Sequence, residues 1–507
     1  MEVVPEFLHP RSSGVLLPVA SLPGPYGIGE LGSVALEWLE YLNETGQRLW
    51  QILPIHPTGV GHSPYQSSSA MAYNPMLIGL DQLHREDLLC DNDFIAYPKT
   101  SGNTIAYETI LPFRYELLKK AAENFLRRGK LDEYENFCQG EKSWLEDYVL
   151  FECLSRRFAG KTWNHWPEEF CNRNPEALKK FSEENAHGIH ILSLWQYFFH
   201  RQWQLIRRRA EELSIKIIGD MPIFVSHHSA DVWANRELFD LCKDGSPRTV
   251  AGVPPDYFSS SGQRWGNPLY LWDRHRNTNY AWWTRRLLGS MKLYDAIRID
   301  HFRGFADYWE IPAACPTAME GRWMPGPGEH FFRSILSQVG PLPFIAEDLG
   351  ILSDEAVHLR ENLGIPGLRI VLFAFDSDDP SSHFLPMNFS KNCIAYTGTH
   401  DNNTAMGALD SCNFAADGSS IGQKRRQILK KYLPREHALL PLHEALLHWI
   451  SKSNAQWVIF PMQDVLGLGR EARLNVPGQA EGNWQWKLNG EEKMPKIRFL
   501  LQKISQR

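Results

Sequence analysis

Eight short, near-continuous apolar runs punctuate this chain, and helical patterns fill several of the gaps between them. The runs are Ser13–Ala20, Arg48–Ile55, Ile215–Ile223, Ala296–Phe302, Pro343–Leu349, Gly367–Phe373, Cys393–Thr399 and Trp457–Leu466. Most are rich in Ile, Val, Leu or Phe, as strands buried on both faces are. Ser33 opens an amphipathic stretch carrying Val34, Trp38, Leu39 and Leu42, and Gly46 is its C-terminal stop. Helical patterns at Glu329–Gly340 and Ser353–Gly364 flank the fifth run, and Gln423–Leu433 and Arg435–Ser453 precede the eighth. Eight strands alternating with helices predict βαβ units and, at this count, a (β/α)8 TIM barrel. An open doubly wound sheet is the competing architecture, but no Gly-x-Gly-x-x-Gly follows the first strand.

The spacing is uneven. About 160 residues separate the second and third runs, and about 70 separate the third and fourth. The whole chain, 1–507, therefore reads as one catalytic barrel with large inserted subdomains after strands 2 and 3. The first insertion, 56–214, is mainly helical, with long patterns at Leu111–Arg128, Ser143–Phe158 and Ile189–Ser214. The second, 226–294, is rich in Gly, Pro, Ser and Trp and reads as a loop or lid. Little sequence follows Trp486, so no C-terminal β-domain is expected.

The net charge is −6 with both signs scattered, which argues against nucleic acid and against a membrane surface as partners. No signal-peptide layout stands at the N-terminus, and no apolar run approaches the roughly 20 residues that span a bilayer. The eight cysteines form no Cys-x-x-Cys pair. They read as reduced thiols of a cytoplasmic protein rather than a disulfide framework or a zinc site.

Barrel enzymes carry their chemistry at the C-terminal ends of strands. Read in order, those ends supply Asp220, Asp300-His301, Glu347-Asp348, Thr399-His400-Asp401-Asn402 and Gln463-Asp464. The sum is a negatively charged mouth, suited to a transition state that develops positive charge. Glycosyl transfer has such a state, with one ionised and one protonated carboxylate. Metal-assisted hydrolysis also gathers Asp and His at barrel mouths, here His56, Asp220, Asp300, His301, His400 and Asp401. Arg298 beside Asp300 disfavours a cation there, and the reading assigns no metal.

In Arg298-Ile-Asp300, strand alternation projects both charged side chains to one face. The guanidinium favours the ionised acid, so Asp300 reads as a nucleophile. Glu347 follows Ile345-Ala346 with no basic neighbour in sequence. An apolar, acid-crowded setting raises such a carboxyl, as a general acid/base requires. Asp348 should face away if Glu347 faces in. Asp401 is placed to hold sugar hydroxyls. Among 18 Trp, 17 Tyr and 26 Phe, most are core. Tyr65, after strand 2, is a candidate sugar platform. Pro254-Pro-Asp256-Tyr-Phe258 and Arg264-Trp265-Gly-Asn-Pro268 suit a semi-rigid loop folding over a polymer.

With those residues in view, the chain closely resembles the 4-α-glucanotransferases, also called amylomaltases or disproportionating enzymes, glycoside hydrolase family 77. Three motifs carry the resemblance: Arg298-Ile-Asp-His-Phe-Arg-Gly304, Ile345-Ala-Glu-Asp-Leu-Gly350 and Tyr396-Thr-Gly-Thr-His-Asp-Asn402. Gly219-Asp-Met-Pro-Ile-Phe-Val225, Ser229-Ala-Asp-Val-Trp233, Gly252-Val-Pro-Pro-Asp-Tyr-Phe258, Arg264-Trp-Gly-Asn-Pro268, Tyr308-Trp-Glu-Ile-Pro312 and Asn475-Val-Pro-Gly478 with Asn483-Trp484 add to it, and the resemblance covers the chain from Ser13 to Trp486. The match departs from the usual family pattern at Met387, Asn403, Ala408 and Gln479.

The resemblance implies a barrel with inserted subdomains and a retaining double displacement. In it Asp300 is the nucleophile, Glu347 the acid/base and Asp401 the transition-state stabiliser. Arg298, His301 and His400 would contact the sugar at the scissile position. Tyr65, Asp256 and Trp265 would lie along a glucan groove. No cofactor is implied. The expected partners are α-1,4-glucans: maltodextrin, glycogen-derived oligosaccharides and a glucose acceptor. A monomer or small homo-oligomer is expected. A hydrolase runs the same first half-reaction with water in the second, and a glucan-binding protein on a retired scaffold keeps only the groove.

Overall fold

The computed structural model describes residues 6–129, 131–255, 259–411, 420–479 and 481–507. Its strands, in chain order, are β1 (Ser12–Leu16), β2 (Leu49–Gln51), β3 (Lys216–Pro222), β4 (Thr249–Val253), β5 (Gln263–Pro268) and β6 (Ala296–Asp300). They continue with β7 (Asp307–Pro312), β8 (Arg322–Pro325), β9 (Phe344–Ala346), β10 (Gly367–Ile370), β11 (Cys393–Tyr396) and β12 (Trp457–Pro461). Eight of them close a barrel in the order β1-β2-β3-β6-β9-β10-β11-β12, with β12 returning to β1. Every barrel pair is parallel. These eight strands overlap the eight apolar runs, and the fold is the (β/α)8 barrel.

Several runs end as strands sooner than their composition suggests. The sixth turns into a short 3-10 helix at Val371–Phe375, and the eighth into a helix at Met462–Val465. Pro461 marks the second change, since it has no N–H to continue a ladder. The pattern Arg435–Ser453 is likewise not one helix: Pro441 precedes the helix Leu442–Ser451 and splits it from a 3-10 turn at Arg435–His437.

Around the barrel, the helix Ser33–Glu44 buries Val34, Ala35, Trp38, Leu39 and Leu42. Gly46, at φ +73°, ends it in a conformation that glycine adopts without strain. Between β2 and β3 lie the helices Tyr107–Arg128, Lys142–Arg157 and Ala186–Glu212. The last is 27 residues long, about 40 Å, and packs on both of the others and on β3. Gly219 in β3 lets Tyr294 close in: a Cβ there would lie 2.2 Å from its ring.

The stretch 226–294 contains more than loop. Its strands β4 and β5 form an antiparallel sheet, β5-β4-β7-β8, with two strands that come after β6. Sequence periodicity does not expose this sheet, because β5 and β8 are partly or largely exposed and rich in Trp, Pro and Gly. No helix among the described residues is long and apolar enough to cross a membrane.

Candidate active site

At the C-terminal ends of the barrel strands lies a groove of about 750 Å³, within the range of small-ligand sites. Asp300, Glu347 and Asp401 all line it, as do Tyr65, Trp265, Arg298, His301 and His400. Asp256 lies outside the described residues, although Pro254 and Pro255 beside it line the same groove.

Register builds the centre. β3 pairs with β6 so that Asp220 stands opposite Arg298. Arg298 Nη1 donates to both oxygens of Asp220 at 2.8 and 2.7 Å and to Asp300 Oδ1 at 3.0 Å. Arg298 and Asp220 are buried, whereas the Asp300 side chain keeps 27% exposure to the groove. Burial opposes the charge on Arg298, but Asp220 and Asp300 outweigh it and hold the guanidinium firmly protonated. Asp300 is thus gripped through one oxygen from within the barrel.

The next residue turns the chain sharply. His301 has φ +51°, ψ +52°, a left-handed conformation that costs a non-glycine residue energy. In that pose its N–H donates to Glu347 Oε2 at 2.8 Å, and Leu349 N–H donates to Oε1 at 3.2 Å. Burial pushes the Glu347 carboxyl up to about 7; Arg298 pulls against this and Asp300 adds to it. Asp348 faces the other way: its carboxylate accepts from Leu368 N–H at 2.7 Å and pairs with Arg360 at 3.2 Å.

The loop after β11 supplies the third acid. Asn402 Oδ1 accepts from Thr399 N–H at 2.8 Å and closes a turn that presents His400 and Asp401. His400 Nε2 lies 3.2 Å from Asp401 Oδ2 and donates to Tyr65 Oη at 2.8 Å, and Tyr65 donates to Asp220 Oδ2 at 2.9 Å. Burial raises the Asp401 carboxyl, but His400, Asn475 and Arg298 together bring it below the ordinary value. Burial lowers His400, and Asp401 more than reverses this. A continuous polar chain therefore runs from Asp300 through Arg298, Asp220, Tyr65 and His400 to Asp401. Tyr65 also stacks on His400 with centroids 5.2 Å apart, so this ring braces the chain. Trp265 sets its ring at 88° to His301, 4.8 Å away.

Not every strand-end acid reaches the groove. Asp220, Asp348 and Asp464 are absent from its lining. Asp464 accepts from Thr397 Oγ1 at 2.5 Å and from Ala405 N–H at 2.6 Å, pinning both ends of the β11 loop. Burial pushes it up to about 6. His56 Nδ1 is 2.7 Å from Ala72 O, so it is engaged by backbone. Between Asp220 and Asp300 the cation is the Arg298 guanidinium itself.

Three residues that line the groove, and Arg473 behind them, escape sequence reasoning. Asn475 and Arg473 both hydrogen-bond Asp401, the first at its carboxylate and the second at its carbonyl. Trp484, at φ +63°, lies 5.7 Å from Tyr65, and Trp323 lines the groove from β8. Asn475 and Trp484 stand inside recognisable motifs, but nothing local tells that they reach the barrel mouth. Two buried ring nitrogens, His301 Nε2 and His400 Nδ1, have no hydrogen-bond partner among the described residues. Both residues line the groove, where a hydroxyl-bearing ligand would satisfy them.

Fold and groove define the class: a (β/α)8-barrel enzyme with carboxylates at its catalytic face. The family model described as 4-alpha-glucanotransferase matches residues 17–493. The chain belongs to that family. The 4-alpha-glucanotransferase of Thermus thermophilus is 43% identical over 497 residues, covering 96% of each chain. That of Aquifex aeolicus is 43% identical over 480 residues, 94% of this chain and 95% of the other. An amylomaltase structure from Streptococcus agalactiae, in complex with acarbose, superposes with a TM-score of 0.93 at 37% identity. That superposition covers 98% of this chain and 99% of the other.

Proposed function

We propose that this protein transfers an α-1,4-glucan segment to the 4-hydroxyl of glucose or a maltodextrin by a retaining double displacement. The observation that carries this reading is the pairing of unlike carboxyls in one groove. Asp300 is held by a buried guanidinium, and Glu347 is raised to about 7 by burial. Unlike acids on one glycosidic bond are what the chemistry requires.

In the first half-reaction an Asp300 oxygen attacks the anomeric carbon. The bond to the leaving oxygen breaks, and Glu347 delivers its proton to that oxygen. The departing glucan leaves a glycosyl ester on Asp300 and an ionised Glu347. In the second, Glu347 takes the proton of an acceptor 4-hydroxyl, whose oxygen attacks the same carbon and frees Asp300. Asp401, kept ionised by His400 and Asn475, faces the positive charge that develops on the ring between the two. Tyr65 and Trp265 offer aromatic surface along the groove. Every step uses side chains of this chain alone, and we assign the reaction to the cytoplasm.

The test is incubation with maltotriose. Transfer yields glucose and a ladder of longer maltodextrins; products shorter than maltotriose alone would mean hydrolysis and overturn the reading. Asp300→Asn removes the nucleophile and should abolish turnover while glucan binding survives. Retained turnover in that variant contradicts the mechanism.

A further inference from the structure

Strand β8 reads Arg-Trp-Met-Pro and sits at the free edge of the antiparallel sheet. Its Trp323 is 39% exposed, although a large aromatic ring is ordinarily among the more buried side chains. The ring is not loose. The Arg303 guanidinium lies over one face, 3.6 Å from the centroid, and Trp309 meets it edge-on at 5.2 Å. Arg303 is fixed in turn by Asp307 Oδ1 at 2.6 Å and by a hydrogen bond to Ile351 O. Ile351 closes the loop that begins at Glu347, whose Oε1 accepts from Leu349 N–H. Glu347, Leu349, Ile351, Arg303 and Trp323 all line the groove. A braced indole is thus tied, through the Arg303 side chain and one loop, to the wall that carries Glu347.

We propose that Trp323 is a glucosyl-binding platform on the Glu347 side of the groove, where it holds an outer ring of the acceptor glucan. This rests on the reading of Glu347 as acid/base. The acid that protonates the leaving oxygen also receives the acceptor hydroxyl. The groove beyond it therefore carries the leaving chain first and the acceptor chain second. A pyranose presents an apolar C–H face to an indole, and with Arg303 over one face of the Trp323 ring the opposite face is the one it meets. Arg303 and Trp309 restrain the ring before ligand arrives, so little side-chain freedom is lost on binding. The platform favours acceptors of several rings over glucose.

The experiment compares glucose and maltotriose, each isotopically labelled, as acceptors with maltoheptaose as donor. In Trp323→Ala the ratio of acceptor KM values, maltotriose over glucose, should rise about five-fold, the factor that covering one pyranose face is worth. Trp323→Phe should restore most of the original ratio. A ratio unchanged in Trp323→Ala overturns the platform. If the wild type makes no longer dextrins at all, the transfer reading falls first. The platform is then judged by maltoheptaose binding to Asp300→Asn protein. There the added Trp323→Ala change should weaken binding about five-fold, and equal affinity overturns it.

Discussion

Asn475 donates from Nδ2 to Asp401 Oδ1 at 2.6 Å, across 74 residues of chain. Arg473 braces the same contact, donating through Nη2 to the Asp401 carbonyl at 2.6 Å and through Nε to the Asn475 carbonyl at 2.7 Å. The segment after the last barrel strand therefore fixes both the backbone and the carboxylate of an acid carried by the loop after β11. His400 holds the other oxygen.

Asn475→Ala should lower kcat/KM on maltotriose about 10- to 100-fold, the equivalent of one hydrogen bond to a charged group. Because Asp401 is proposed to act on the transition state, most of the loss should fall on kcat. Steady-state kinetics decide it, and a change confined to KM would show that Asn475 only binds sugar. Asn475→Asp sets a second carboxylate against Asp401 and should lose more activity at neutral pH than Asn475→Ala.

Tyr65→Phe keeps the ring that stacks on His400 and deletes the hydroxyl that joins His400 to Asp220. Asp220 keeps both bonds from Arg298, so the fold should hold. The lost hydroxyl leaves His400 Nε2 with Asp401 as its single partner. A drop in kcat of about ten-fold is expected, the worth of roughly one buried hydrogen bond. Thermal unfolding within a few degrees of wild type would separate this from misfolding. Unaltered kcat would mean that the Asp220–His400 link has no part in turnover.

Glu347 must be protonated to release the leaving glucan, and burial has lifted its carboxyl to about 7. The acid form is present below that value and is lost as pH rises through it. The maltotriose kcat/KM should therefore fall on the alkaline side of about pH 7 with unit slope. Glu347→Gln should remove most activity and, with it, that limb. A wild-type profile flat to pH 9 would assign the acid to another group.

Much of this arrangement is legible along the chain because it is local. Strand ends carry acids, and alternation makes Glu347 and Asp348 face opposite ways, as they do. What escapes is set by register between distant segments. Asp220 is visible at the end of a run, but that it grips Arg298 depends on how β3 lies against β6, 78 residues on. Asp464 looks equally suited to the mouth, yet the turn after Pro461 aims it at Thr397 and Ala405 instead. The β5-β4-β7-β8 sheet is hidden for the same reason: β4 finds β7 across the whole of β6, and no single stretch of sequence records that pairing.

His275 supplies a test of stability that is independent of catalysis. It is fully buried among Tyr270, Trp272 and Trp282, with ring centroids between 5.2 and 6.1 Å away. Burial pushes it from 6.5 down to about 4. In the window between those values the unfolded chain takes up a proton at this site and the folded one does not. Its contribution to stability is therefore complete above pH 6.5 and is lost as pH falls toward about 4. His275→Phe removes the titrating group and keeps an aromatic ring. Whatever stability the variant forfeits at pH 7, the deficit relative to wild type should shrink by about 2 kcal/mol at pH 5. Urea denaturation of both proteins at the two pH values measures it. A deficit that stays constant would mean that His275 takes up its proton equally in both states, and that the aromatic cage does not hold it neutral.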